Sequence, residues 1–393
     1  MKTPARRWIA CGVVALSLFA GPASALAQSG SSGQARDGAN ARAAVHGEGV
    51  LKKQMSENRY TAGFVTGPPD STEFAMVQEI ATVLASGQET GPHGEVALRV
   101  LPMVGTGGVR NIMDLLTLGG ADMAIAPVVL VDRLRDARTF GDISHKLVYI
   151  TLLHTEEFHL LVRSDIKSLA DLAGKTVSLG EEDSAADVLG REAFDALGVK
   201  INAANLSLDT ALDQMKRGQI SAALVLSGKP VKPLLALNGG PDNIHLLSIP
   251  YSQALQRDFL PSTLDHADYP NLIAGDQAVG TIAIQSALFA YNWPARSPRA
   301  ELLETFTRSF FSRFSEFLAD DHSPKWREVN LAARLPGWER FRPAERWLSL
   351  QSMGSDAARS GSPNASNPAG TSSEQRDKLF KEFLRWRERQ QGK

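Results

Sequence analysis

The chain has 393 residues, 42 Lys+Arg against 43 Asp+Glu, 43% hydrophobic residues and a single Cys. That length suits two or three domains and a sizeable core without covalent staples. A formal net charge of −1 lacks the basic excess of a nucleic-acid binder, and near-average hydrophobic content argues against wholesale disorder.

The first apolar stretch sets the expected compartment. Lys2, Arg6 and Arg7 precede an apolar run over Trp8–Ala20, too short to span a bilayer. Ala23-Ser24-Ala25-Leu26-Ala27 then offers small residues for cleavage. This pattern predicts a secretory signal peptide over 1–27 and a periplasmic mature chain. Cys11 leaves with the signal, so the mature chain has no thiol for a disulfide or a thiolate metal site. Removing those three cations moves the formal charge from −1 to −4. Residues 28–57 are rich in Ser, Gly, Ala and Arg and read as a flexible leader.

From Tyr60 the pattern alternates between strand and helix. An apolar run over 60–66 ends at Gly67-Pro68-Pro69-Asp70. Ser71 caps a predicted helix reaching about Ser86, with Phe74, Val77, Ile80, Ala81 and Leu84 at helical spacing. A strand is predicted over 96–101, then a break at Gly105-Thr106-Gly107-Gly108. A helix carrying Ile112, Leu115, Leu116 and Leu118 comes next, and Gly119-Gly120 ends it. Another strand is predicted over 121–126. This rhythm argues for a parallel sheet covered by helices. Residues 147–162 form two apolar runs split by His154-Thr155-Glu156-Glu157.

A second unit has a similar rhythm. It has a helical turn over 168–172, a strand over 176–179, and a helix over 184–197 closed by Gly198. A helix over 207–217, a strand over 221–226, a helix over 230–238 and a strand over 244–249 complete it. One more strand is expected over 278–287. A long helix over 299–318 places Leu302, Leu303, Phe306, Phe310, Phe314 and Phe317 on one face. Residues 355–375 read as a linker, and 376–393 as an amphipathic helix with seven basic and three acidic residues. That basic helix offers a contact for a partner or a membrane surface, or packs on its own lobe.

Enzyme motifs are missing. The chain has no G-x-S-x-G elbow, no H-E-x-x-H and no phosphate-binding Gly-x4-Gly-Lys loop. Gly105-Thr106-Gly107-Gly108 lacks the G-x-G-x-x-G spacing of a dinucleotide site, and Ser164-Asp165-Ile166-Lys167 sits in a polar turn. His154, Glu156, Glu157 and His159 are the densest set of potential metal ligands. On a strand His154 and Glu156 share one face, and Glu157 and His159 the other, so neither face offers three ligands locally. No metal or cofactor is expected.

The recurrent theme is helix starts that come directly after strand-ending breaks, at 67–72, 105–111 and 180–185. In a parallel sheet these gather at the carboxyl ends of the strands, where ligands bind. Their unpaired N–H groups favour an anion. Glu181, Glu182 and Asp183 at the third start, and Asp70 at the first, oppose one, while Arg110 offsets them. Local physics leaves the ligand's charge open.

Phe64-Val65-Thr66-Gly67, Val104-Gly105-Thr106-Gly107-Gly108-Val109-Arg110-Asn111 and Gly119-Gly120-Ala121-Asp122-Met123-Ala124-Ile125 carry a resemblance. So do Glu157–Arg163, the stretch Ile166–Gly180, Ala211–Leu226, Gly228-Lys229-Pro230 and Tyr269-Pro270. Over about 60–320 the chain resembles the TAXI family of TRAP transporter solute-binding proteins. The stretch 168–180 is shared with many type II periplasmic binding proteins, so it specifies fold more than ligand. The pattern departs from the family at the first turn, at Ser221, at Asn271 and after Ser355.

The resemblance implies a two-lobed α/β type II periplasmic binding fold. Each lobe is a mostly parallel sheet flanked by helices, with the ligand cleft between lobes. Lobe 1 is expected over 58–157 plus 282–350 and lobe 2 over 158–281, joined by a hinge of crossing strands. The implied function is capture of a small carboxylate, glutamate or a related dicarboxylate, for delivery to the membrane subunits of a TRAP permease, without catalysis. A sensor or adaptor of the same fold is the alternative. Ligand contacts carry over to Thr66, Gly67, Ser71, Thr72, Gly105, Thr106, Arg110, Asn111, Glu182, Asp183, Ser184 and Ala185.

Overall fold

The structure, a computed structural model, describes residues 59–86 and 98–360. The expected signal peptide, the leader over 28–57 and the C-terminal amphipathic helix lie outside the described residues.

Strand β1 (Thr61–Val65) leads through Gly67–Ser71 into α1 (Thr72–Ala85). The Ser71 hydroxyl accepts from the Phe74 amide at 3.1 Å, the expected cap. Strand β2 (Arg99–Met103), α2 (Val109–Thr117) and β3 (Ala121–Pro127) come next. All seven residues of β3 are buried, as a central strand covered on both faces requires. Helix α3 (Val128–Ala137) continues directly from Pro127, and the sequence pattern did not single it out.

Strand β4 (Leu147–Arg163) is one unbroken strand of 17 residues, where the sequence pattern showed two runs. Its polar centre does not break it, because Glu73, Ser286 and Lys325 from distant elements partner the buried side chains there. The second half contains β5 (Thr176–Ser178), α4 (Ala185–Ala196), β6 (Asn202–Ala204), α5 (Leu208–Lys216) and β7 (Ala222–Ser227). The helix expected over 230–238 is only one turn, α6 (Lys232–Leu235), succeeded by a second turn, α7 (Gly239–Asp242). Pro233, which has no N–H to donate, sits within the first turn of α6, and Ala236–Asn238 separate the two turns, the second of which opens on the flexible Gly239-Gly240 pair. Strand β8 (Ile244–Leu246) and β9 (Leu260–Asp265) precede β10 (Ala278–Tyr291). β9 is mostly exposed and carries Pro261, so its hydrophobic signal is weak.

Helix α8 (Pro298–Ser312) stops short of Leu318; residues Phe314–Leu318 tighten into a 3₁₀ turn. A further 3₁₀ turn over Pro324–Glu328 lies against β4. The last helix, α9 (Arg342–Ser360), runs past the point where composition had suggested a linker.

The strands form one ten-stranded sheet in the order β2-β1-β3-β10-β4-β7-β5-β6, with β8 on β4 and β9 on β10. The outer pairs are parallel, as expected. The central strands β4 and β10 run antiparallel to each other and to their flanking partners β3 and β7. Glu157 is the changeover. Pairing of β4 with β10 extends to Glu157 opposite Ala283, and pairing with β7 starts at Glu157 opposite Ser227.

Two halves of the sheet result, each covered on both faces. Around β1 and β3, one face buries Phe64, Met76, Ile80, Phe306, Phe310 and Trp326, and the other Ile112, Leu115, Phe289 and Trp338. Around β7, one face buries Phe158, Leu189 and Leu224, and the other Leu161, Met215 and Tyr269. Leu130 of α3 also joins the Phe158 cluster, so the halves share packing.

Candidate ligand-binding cleft

Four helix starts converge where the outer parallel strands end. The loop after β1 turns at Pro68, whose carbonyl accepts from the Ser71 amide at 3.0 Å. The loop after β2 turns at Gly107 (φ +77°) and Gly108 (φ +69°, ψ −147°), conformations in which a side chain is strained. Among the described residues no side chain caps α2. Ser184 caps α4 by accepting from the Asp187 amide at 3.2 Å, and Ser207 precedes α5.

Asn111 ties this end of the first half together. Its Nδ2 donates to the Thr66 carbonyl at 3.0 Å and to the Ile125 carbonyl at 2.9 Å. Both acceptors are carbonyls, so the amide orientation is fixed. Its Oδ1 is buried and has no partner among the described residues.

The two halves meet across the cleft. The Thr72 amide donates to Ser227 Oγ at 3.0 Å, and Thr72 Oγ1 donates to the Gly228 carbonyl at 2.5 Å. Gly108 lies against the start of α4 so closely that a Cβ on it would stand 2.7 Å from the Ala185 nitrogen. Between these contacts is a cavity of about 360 Å³, the size of a small-molecule site.

Six of the expected contact residues line this cavity: Gly67, Ser71, Thr106, Asn111, Ser184 and Ala185. The others stand behind it or beside it. Thr66 is buried and offers its carbonyl to Asn111. Thr72 makes the cross-cleft bonds, and Gly105 gives Asn111 room, since a Cβ there would lie 2.3 Å from Asn111 Oδ1. Arg110 points outward and pairs with Asp114 at 3.0 Å. Glu182 and Asp183 are exposed.

The sequence pattern placed Asp70 and Glu181 at the ligand end but did not place Glu73, Glu156 and Asp209 there. All five line the cavity, and among the described lining residues there is no Lys, Arg or His. Glu73 and Glu156 are buried. Glu73 Oε1 lies 3.2 Å from His154 Nε2, and Ser227 Oγ lies 3.5 Å from Glu73 Oε2. Burial pushes the Glu73 carboxyl up, but the hydrogen bond and charge of His154 outweigh it and leave the group below its usual range. Glu156 goes the other way. Burial, then the neighbouring Glu73 charge, raises it well above the usual range despite the hydrogen bond from Ser286 Oγ. At the mouth, desolvation raises Asp70, and Asp209 and Glu73 add to it.

Glu73, His154 and Glu156 also present donor atoms within 4.8 Å of one another, a set that could hold a metal ion. His154 and Glu156 share a strand face as the alternation predicts, and the third donor comes from α1. A signal did exist in the sequence: an acidic residue two places after a helix cap, and a polar break inside an apolar strand.

Glu157, the next residue along, takes Lys325 Nζ at 2.7 Å and the Lys229 amide at 3.0 Å. His159 Nε2 lies 2.7 Å from the Tyr269 hydroxyl, which also accepts from the Val231 amide at 2.9 Å. These contacts fix the strand beneath the cavity.

Several solved structures are similar to this chain at low identity. A substrate-binding protein of an ABC uptake transporter from Streptococcus pneumoniae, solved with bound histidine, is similar at 13% identity over 72% of this chain and 98% of its own, with a TM-score of 0.41. An ancestral arginine-binding protein bound to arginine is 14% identical over 65% and 93%, with a TM-score of 0.39. The alkanesulfonate-binding protein SsuA from Xanthomonas axonopodis pv. citri, bound to MOPS, is 14% identical over 74% and 83%, with a TM-score of 0.38. Residues 64–332 match the model of the NMT1-like family, most of the described chain, and the chain belongs to that family.

Proposed function

We propose that this chain is a periplasmic solute-binding protein that captures a small carboxylate between the two halves of its sheet and delivers it to a TRAP-type membrane permease. The observation that carries the reading is the cavity of about 360 Å³, with walls from both halves and cross-cleft bonds at its rim. Contacts from both sides let a ligand favour the closed arrangement by its extra affinity for it. Membership of the NMT1-like family agrees with this reading.

The uncapped start of α2 supports a carboxylate there. A helix end supplies about 0.3–1 kcal/mol, or about 2 when partly buried, whereas micromolar binding needs about 8. Enclosure and side-chain contacts supply the remainder. Charge favours one carboxylate at α2 over two: a second, deeper one would face Glu73 and Glu156 with no cation among the described lining residues.

Native mass spectrometry of protein purified from the periplasm tests capture. A small carboxylic acid released on denaturation is the expected result. Its absence, together with no thermal shift across amino and dicarboxylic acids, overturns the reading. Delivery is tested by uptake into vesicles carrying the permease, with and without this chain.

A further inference from the structure

The cavity has two unlike walls. The start of α2, with the hydroxyls of Thr106 and Ser184, is the polar one. In the second half, Leu206, Leu208, Ala211 and Val231 line the cavity, and all four belong to one apolar cluster. Ala211 and Val231 are buried, whereas Leu206 and Leu208 are only half-buried against that cluster, so part of each leucine is left for a ligand to cover. Polar groups between them are spent. Ser207 Oγ donates to Thr210 Oγ1 at 2.9 Å, and the Val231 amide donates to the Tyr269 hydroxyl at 2.9 Å. From the first half, Pro68, Pro69 and Pro127 line the cavity with no N–H to offer. Every charged side chain among the described lining residues is a carboxylate. The two that are buried, Glu73 and Glu156, are already met by His154 and Ser286.

We infer that the ligand is an amphipathic monocarboxylate, whose carboxylate meets the start of α2 while an unsubstituted hydrocarbon chain or ring lies against Leu206, Leu208, Ala211 and Val231. This rests on the cavity being the ligand site and names the class of acid it takes. A second carboxylate, as in glutamate, has no cation to meet among the described lining residues. The apolar wall strips its water without replacing it, and the acidic side chains repel it, so the site selects against dicarboxylates. The cavity's volume of about 360 Å³ is that of about twelve waters. That is room for one carboxylate and up to about nine further carbons. Apolar burial then supplies the affinity that one helix end does not.

The test is calorimetry and thermal shift on the purified full chain with acids of increasing length. Pentanoate, hexanoate and heptanoate are compared with glutarate, adipate and pimelate, which carry the same numbers of carbons. The monocarboxylate of each pair is expected to bind tighter by about tenfold or more, the cost of burying an unpaired polar end. Its affinity is expected to rise about fourfold per added CH₂, the transfer free energy of one methylene. Leu206→Gln and Leu208→Gln are each expected to flatten that rise. Where a variant does not fold, the chain-length gradient of the unaltered chain decides. Equal or tighter binding of the dicarboxylates, affinity independent of chain length, or an unchanged gradient in both folded variants overturns the inference and leaves solute binding standing. No binding of any of these acids also overturns it. If native mass spectrometry then releases no acid either, the solute-binding reading falls with it.

Discussion

Lys325 Nζ lies 2.7 Å from Glu157 Oε1, and both side chains are almost wholly out of water, at 1% and 2% exposure. Residue 325 comes from a 3₁₀ turn near the end of the described chain and 157 from the point where β4 changes partners. The pair pins the C-terminal segment to the centre of the sheet.

Removing one partner of such a pair leaves an uncompensated buried charge, which costs about 3–5 kcal/mol. Lys325→Met is expected to lower unfolding free energy by about that much in urea titrations. Lys325→Met combined with Glu157→Gln is expected to recover most of the loss. Additive losses in the double variant would show that the two side chains are not coupled.

Gly108 is expected to control closure. Its φ and ψ are accessible essentially only to glycine, and its Cα faces Ser184 and Ala185. Gly108→Ala is expected to cost about 1–3 kcal/mol and to raise the radius of gyration seen by small-angle scattering. Gly107→Ala shares the positive φ but has open space around it, so it is expected to lose stability without opening. Equal radii for the two variants would break the link between Gly108 and closure.

Asn111→Asp exchanges two donors for a carboxylate facing the carbonyls of Thr66 and Ile125. A loss of about 2–4 kcal/mol at neutral pH is expected. The repelled carboxylate has a folded pKa above its unfolded value, so the deficit shrinks as pH falls and the group protonates. A deficit independent of pH between 7 and 4 would contradict this account.

Burial depresses His159 to a pKa of about 3, against the help of hydrogen bonds to the Val225 and Glu157 backbone. The folded value lies below the unfolded one, near 6.5, so the unfolded chain binds more protons between them. The stability held by neutral His159 is complete above about pH 6.5 and is lost as pH falls toward 3, by up to about 1.4 kcal/mol per pH unit. His159→Gln is expected to flatten that part of the stability profile. Glu156 titrates with the opposite sign, so the difference between the two profiles, not either one alone, reports His159.

The helix starts at Ser71 and Ser184 were legible because capping is local chemistry: a hydroxyl and an amide three residues apart. The parallel outer strands could be read from the alternation of strand and helix. The acidic floor was not legible, because Glu73 and His154 are 81 residues apart and meet only once β4 lies beneath α1. The unbroken β4 was hidden for the same reason. Its polar residues look like a break until Glu73, Ser286 and Lys325 arrive to satisfy them. The edge strand β9 was missed because its side chains face water and carry little hydrophobic signal.

β4 and β10 run through both halves of the sheet with no loop at the changeover. The two halves are therefore not modules that can be cut apart and recombined. A cut at residue 157 or 283 would sever a strand mid-ladder and expose a row of unpaired N–H and C=O groups on each fragment. Each half would inherit a raw edge prone to pairing with another copy, so relatives built on this plan are expected to exchange their loops and helix starts while keeping these two ribbons whole.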